Sequence, residues 1–141
     1  MLVEDDPTTR ALLSRRLTDL GFSTKLAETG EEALEMLHET LPEVVCLDLE
    51  LPGISGLETL ERIVERHPWM PVIILTADRQ VETVVTAMQR GAHDYLPKPV
   101  DATKLATTIR NAAKLAKLTL RVQSLEREAA SEPGYRDILG R

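Results

Sequence analysis

Glu4-Asp5-Asp6 directly follows the short apolar run Met1-Leu2-Val3. Asp48 ends the run Val44-Val45-Cys46-Leu47, and Glu50 comes two residues later, just before Leu51-Pro52-Gly53. Thr76 ends Val72-Ile73-Ile74-Leu75, and Lys98 sits in Pro97-Lys98-Pro99 after Asp94-Tyr95-Leu96. Each of these polar residues stands where an apolar run stops. A carboxylate at the tip of a buried strand is costly unless it is paired, bound to a metal or used for chemistry. Three or more carboxylates gathered in one pocket repel each other. A hard divalent cation relieves that repulsion, and Mg²⁺ favours a few carboxylates together with waters and phosphate oxygens. A lysine and a hydroxyl nearby suit a phosphate. The set reads as a metal ion plus a phosphoryl group.

Such a set works only if the chain brings these positions together. Pro7 suits a first helical turn, Leu12, Leu13, Leu17 and Leu20 fall at helical spacing, and Gly21 closes the helix. A strand is expected over Ser23 to Ala27, and Thr29 to Glu32 reads as a capping box opening a helix with Ala33, Leu34, Leu37 and Leu41. Val44 to Leu47 form a strand, Gly56 to Arg66 a helix stopped near Pro68, and Val72 to Leu75 a strand ending at Thr76. Val81, Val84, Val85 and Met88 mark a fourth helix closed by Gly91, and Asp94 to Leu96 a short last strand. From Asp101 the pattern is helical for a long way. Strand and helix alternate throughout, which predicts an α/β fold with a doubly wound parallel sheet. In such sheets sites lie outside the carboxyl ends of the strands, where all the polar residues above would stand.

The bulk numbers agree with a folded domain and exclude some functions. The chain has 141 residues, 43% of them hydrophobic, enough for one domain with a core and an appendage. One Phe, one Trp and two Tyr leave little to stack on bases, and a net charge of −6 argues against direct nucleic-acid binding by this segment. The single cysteine, Cys46, lies inside an apolar run, reads as a core residue and fits a reducing, cytoplasmic setting. No stretch reads as a membrane span or signal peptide. His38, His67 and His93 share no metal-ligand spacing.

Four pieces carry a resemblance: "VEDD" at 3–6, "LDLELPGISG" at 47–56, "ILTA" at 74–77 and "DYLPKP" at 94–99. In order and spacing they resemble a response-regulator receiver domain of the two-component type, over residues 1 to about 115. The resemblance implies a five-stranded flavodoxin-like sheet in the order 2-1-3-4-5. It implies that Asp48 is the phosphoacceptor, taking a phosphoryl group from a phosphohistidine on a sensor histidine kinase, and that Mg²⁺ is the cofactor. Glu4 and Asp5 match the acidic pair that holds the ion, Glu4 through water; Asp6 is one place beyond that pair. Asp48 itself and the backbone carbonyl of Glu50 match further ligands. Lys98 matches the lysine that pairs with the phosphoryl oxygens, Thr76 the switch hydroxyl, and Tyr95 the aromatic that changes rotamer with it. Ala77 would leave the phosphoryl group room, and Lys98-Pro99 matches a bond that is cis in the family. Arg10, Arg15 and Arg16, with Leu12 to Leu20, match a kinase-docking face. No enzymatic turnover is expected.

Beyond the sheet, Leu105, Ile109, Ala112 and Ala116 form one seam directed at the core. Leu115, Leu118, Val122, Leu125 and Ala129 form a second, at alternating spacings of three and four. A helix from Asp101 to Ala129 would run about 43 Å. Its second seam predicts a coiled coil and a homodimer. The expected divisions are a receiver domain over 1–115, a coiled-coil linker over 116–130 and, over 131–141, the start of a downstream domain. Ser131-Glu132-Pro133-Gly134 breaks the helix, and "YRDILGR" resembles the entry to the ATPase domain of sigma-54-dependent activators of the nitrogen-regulator class. That implies partnership with an ATPase domain and, through it, sigma-54 RNA polymerase. Two other readings compete: a receiver-like dimerisation scaffold that is never phosphorylated, and a small phosphatase with an aspartate nucleophile, which Asp48 and Glu50 mimic.

Overall fold

The computed structural model describes the backbone of residues 1–131, and the side chains of 1–119 together with 121, 122 and 125. The tail expected to open an ATPase domain lies outside the described residues, as does the side chain of Ala129.

Five strands alternate with five helices: β1 (Leu2–Val3), α1 (Pro7–Asp19), β2 (Leu26–Ala27), α2 (Gly30–Glu39), β3 (Val45–Asp48), α3 (Gly56–Arg66), β4 (Val72–Thr76), α4 (Val81–Gln89), β5 (Asp94–Pro97) and α5 (Ala102–Ser131). The strands form one parallel sheet in the order β2-β1-β3-β4-β5. Both faces are covered, so the strands read as continuous apolar runs. Successive residues point to opposite faces. On one face Val3, Val45, Leu47, Val72 and Ile74 pack with Ala33 and Leu37 of α2, Leu60 and Ile63 of α3, and Ala87 of α4. On the other, Leu2, Cys46, Ile73 and Leu75 pack with Leu13 and Leu17 of α1 and Leu105, Ile109 and Ala112 of α5. Cys46 is buried and its thiol is pushed up to about 11 by that burial, so it acts as a small core residue.

Helix starts follow the residues that cap them. Asp6 caps α1, accepting from Thr9 N at 2.9 Å with Pro7 next in the chain; Ser55 caps α3, accepting from Glu58 N at 3.1 Å. Thr29 caps α2 by accepting from Glu32 N, but the return arm is displaced: the Glu32 carboxylate accepts from Glu28 N rather than from Thr29 N. Gly21 and Gly91, after α1 and α4, take positive φ of 97° and 106°.

Two expectations need correction, the second strand and Leu41, and two expected helices, α1 and α4, bury only part of their apolar spacing. The second strand is only Leu26–Ala27, not Ser23 to Ala27, because β1 offers only Leu2 and Val3 to pair with. Leu12 and Leu20 are exposed while Leu13 and Leu17 bury, so half of the α1 leucine pattern faces the core. Leu41 lies beyond α2 and is exposed. In α4 the apolar spacing does not mark the packed face: Val81, Val85 and Met88 are exposed, Val84 is half-buried, and the buried residue is Ala87. Along α5, Leu105, Ile109 and Ala112 are buried and Ala116 is half-buried. Leu115, Leu118, Val122 and Leu125 are 54%, 51%, 52% and 55% exposed, so the second seam faces away from the sheet within this chain.

Candidate functional site

The sheet order places the ends of β1 and β3 side by side, with β4 and then β5 beyond. Glu4 is the first residue past β1, Asp48 the last of β3, Thr76 the last of β4, and Lys98 the first past β5. The carboxyl ends therefore bring acid, acid, hydroxyl and amine to one edge. Glu4, Asp48 and Thr76 are almost completely buried, at 1%, 3% and 0% exposure.

Lys98 ties the acids together. Its Nζ donates to Glu4 Oε1 at 2.6 Å and to Asp48 Oδ2 at 2.9 Å. Its backbone N donates to Thr76 O at 2.9 Å, and its bond to Pro99 is cis, as the resemblance implied. The second Asp48 oxygen, Oδ1, accepts from Glu50 N at 3.0 Å, which turns the chain away at the strand end. Gly56 makes that turn possible. A Cβ there would lie 2.3 Å from Leu49 Cα and 2.6 Å from the Asp48 carbonyl oxygen, closer than atoms can approach.

One ammonium does not balance the acids. Carboxylate oxygens of Glu4, Asp5 and Asp48 lie within 4.8 Å of one another. Burial, with the neighbouring Asp48 carboxylate adding to it, pushes Glu4 up from an ordinary 4.5 to about 7, against the opposing pull of Lys98. For Lys98, burial works to lower the pKa, and the ion pairs with Glu4 and Asp48 outweigh it, leaving the ammonium above its usual range. An all-oxygen donor set with surplus negative charge fits a hard divalent cation. Asp6 is occupied elsewhere: its carboxylate caps α1 through Thr9 and is lowered by that bonding, consistent with its place beyond the acidic pair.

The two switch candidates meet at Asp78, a residue that spacing does not single out. Thr76 Oγ1 accepts from Asp78 N at 3.1 Å, and the half-buried Tyr95 donates its hydroxyl to the Asp78 carbonyl oxygen. The Asp78 carboxylate accepts from Gln80 N and Thr83 Oγ1, at 2.9 and 2.8 Å, and so pins the start of α4. Thr76, Tyr95 and α4 thus share one residue. Ala77 is exposed and Glu50 points its side chain to solvent. Glu31, on α2, was also not anticipated; its carboxylate accepts from Ile54 N at 3.0 Å and holds the segment after Asp48. Glu31 has no signal in the sequence beyond its residue type, because it acts on the backbone of another segment; the Asp78 carboxylate bonds locally, and its links to Thr76 and Tyr95 run through its main chain.

Residues 1–110 match the family model described as the response regulator receiver domain. The chain belongs to that family. This receiver domain is 45% identical over 100 residues to the DNA-binding transcriptional regulator NtrC of Klebsiella pneumoniae, covering 71% of the chain and 21% of that protein. It is 37% identical over 115 residues to the luminescence regulatory protein LuxO of Vibrio campbellii, covering 82% of the chain and 25% of that protein. The receiver domain thus spans about a quarter or less of the curated relatives it matches. Among solved structures, NtrX of Brucella abortus in complex with ATP superposes with a TM-score of 0.81 at 33% identity, covering 88% of this chain and 28% of that one. A CheY-like receiver domain protein from Methanospirillum hungatei gives a TM-score of 0.79 at 25% identity, covering 84% and 94%. Among the described residues, no helix is long and apolar enough to cross a membrane.

Proposed function

We propose that this receiver domain is a phosphoacceptor switch, in which Asp48 takes a phosphoryl group from a sensor histidine kinase. The observation that carries the proposal is the setting of Asp48: a buried carboxylate at the end of β3, with one oxygen held by Glu50 N and the other by Lys98 Nζ. A carboxylate oxygen of Asp48 attacks phosphorus, the bond from phosphorus to the donor's imidazole nitrogen breaks, and an acyl phosphate forms. Such transfers depend on positioning and charge neutralisation more than on other covalent steps. Asp5, Asp48 and the Glu50 carbonyl would hold Mg²⁺, with Glu4 acting through a water; when bound, the ion offsets the charge of the phosphoryl oxygens. Lys98 leaves its pairing with Asp48 to meet those oxygens, and Ala77 leaves them space. Thr76 then turns its hydroxyl toward the phosphoryl group, giving up the bond from Asp78 N. Because Asp78 also holds Tyr95 and the start of α4, that single change reaches the α4–β5–α5 face.

The acceptor is stoichiometric rather than a turnover enzyme, and its setting is the cytoplasm, where Cys46 stays reduced. The exposed seam of Leu115, Leu118, Val122 and Leu125 supports a homodimer through paired α5 helices. The likeness to NtrC and LuxO supports a downstream ATPase domain acting on sigma-54 RNA polymerase, with the receiver as its control.

Incubation with acetyl phosphate and Mg²⁺, followed by intact-mass spectrometry, tests the acceptor role. One added phosphoryl group, lost in Asp48→Asn and in metal-free buffer, is expected. A folded chain that gains none, or an Asp48→Asn variant that gains as much, would contradict it and favour the scaffold reading.

A further inference from the structure

Arg10 lies one turn into α1, on the same side of the sheet edge as the acidic pair. Its side chain is 16% exposed, unusually covered for an arginine facing a loop. Its guanidinium reaches backward: Nη1 donates to the carbonyl oxygen of Glu4 at 2.9 Å and to that of Asp5 at 3.3 Å. Nη2 pairs with Glu28 Oε1 at 3.2 Å, on the segment after β2. Glu28 is in turn held from behind, its backbone N donating to the Glu32 carboxylate at 3.2 Å. One planar fork therefore joins the two residues that carry the metal-facing carboxylates to a fixed point on the neighbouring strand's loop.

We infer that Arg10 is a positioning residue for the divalent-cation site, clamping the backbone of Glu4 and Asp5 so that their carboxylates are aimed before the ion arrives. The inference rests on the metal reading of Glu4, Asp5 and Asp48 given above. The Arg10 donors go to main-chain carbonyls, which set the path of the loop, and leave the carboxylates to Lys98, which holds Glu4, and to a cation. The segment has left the sheet: the last ladder bond is Glu4 N to Ala27 O, at 3.0 Å, so the orientation of Asp5 needs another restraint. The sign of the charge is also wrong for an electrostatic role. A guanidinium beside a cation site repels the cation, so charge alone would make Arg10 a liability. Its value must lie in geometry, and the fixed fork of an arginine provides two directions of donation that an ammonium cannot reproduce. Partners that orient metal ligands without touching the metal typically change affinity by about 10- to 100-fold when removed.

Arg10 stands with Arg15 and Arg16 on the face that the resemblance assigns to kinase docking, and its guanidinium is given to the acidic loop and Glu28.

The test uses Mn²⁺, whose binding to oxygen ligands is followed by electron paramagnetic resonance on the whole chain at neutral pH, with no phosphodonor present. Arg10→Ala is expected to weaken Mn²⁺ by about tenfold or more. Arg10→Lys, which keeps the charge, is expected to weaken it as well, because one ammonium cannot hold two carbonyls and Glu28 together. Glu28→Ala, which removes only the anchor of the fork, gives a smaller loss in the same direction. Circular-dichroism melts of each variant without metal separate this from general destabilisation. Unchanged or tighter Mn²⁺ binding in folded Arg10→Ala would overturn the inference, since loss of charge alone tightens the cation. Wild-type affinity in Arg10→Lys would overturn it too, by showing that the fork is dispensable. A wild-type chain that binds no Mn²⁺ would overturn the metal reading itself, and with it this inference.

Discussion

Replacing Lys98 by Met keeps most of the side chain's volume and removes its charge. In the metal-free protein two buried carboxylates, Glu4 and Asp48, would lose the ammonium they share at 2.6 and 2.9 Å. Removing one partner of a buried ion pair costs about 3–5 kcal/mol. Two features lower that figure here. The Lys98 side chain is 22% exposed, so water reaches the site. Glu4 can also take up a proton, being held at about 7 already. We expect a loss of about 2–3 kcal/mol at pH 8, at or below the low end of that range. For a domain of this size that is a fall in Tm of roughly 8–12 °C.

The pH dependence has a definite sign. Glu4 is raised in the folded state, so between about 4.5 and 7 the folded chain holds more protons than the unfolded one. Stability from this group falls as pH rises through that window. Without Lys98 the folded value climbs further, so the variant should lose more at pH 8 than at pH 6. Lys98 itself is raised above its usual range, so its own contribution is complete below the ordinary lysine value and is lost only above the folded one. It therefore adds no slope between pH 6 and 8. Thermal melts of both proteins at pH 6 and pH 8, in chelator, check this. A Lys98→Met chain as stable as wild type at pH 8, or one destabilised equally at both pH values, would contradict the coupling of Glu4 to Lys98. Saturating Mg²⁺ should narrow the gap, since a bound cation takes over part of the neutralisation.

Three further outcomes follow from the same geometry. Asp48→Asn removes the carboxylate that helps hold Glu4 high, so the Glu4 titration should move below about 7 in carboxyl-detected NMR; an unmoved midpoint would contradict the coupling. Gly56→Ala forces a Cβ against the Leu49 and Asp48 backbone, and should cost on the order of 2 kcal/mol or more in urea unfolding and slow labelling by acetyl phosphate. Leu118→Lys with Leu125→Lys places charge in the exposed seam of α5 and should convert a dimer to a monomer in light scattering, with the melting profile of the sheet domain unchanged.

Much of this molecule could be read before its structure, for identifiable reasons. The end of α3 at Arg66 was legible because Pro68 follows it, and the structure adds Ser55 as the cap at its start. Glu4, Asp48, Thr76 and Lys98 were legible because each interrupts an apolar run, and the parallel fold sends all strand ends to one edge. The exposed face of α4 was not legible: Val81, Val85 and Met88 have helical spacing, but spacing identifies a stripe and not what covers it. The short β2 depended on how many residues β1 could offer it. Glu31 escaped notice and Arg10 is read from the sequence only as part of a docking face, because both bond backbone groups 5 to 23 positions away and no pattern of residue types marks such a bond. Asp78 joins Thr76, Tyr95 and α4 through its own main chain and carboxylate.

As the proposed phosphoacceptor, Asp48 becomes an acyl phosphate. Hydride trapping tests it directly: borohydride reduces an acyl phosphate to an alcohol, converting the acceptor aspartate to homoserine, and peptide sequencing by mass spectrometry then locates it. After acetyl phosphate and Mg²⁺, homoserine is expected at position 48 and no other, and absent when Mg²⁺ is withheld. Homoserine at Asp5 or Glu50-derived reduction products in its place, or an unreduced Asp48 in a chain that has gained a phosphoryl group, would contradict the claim.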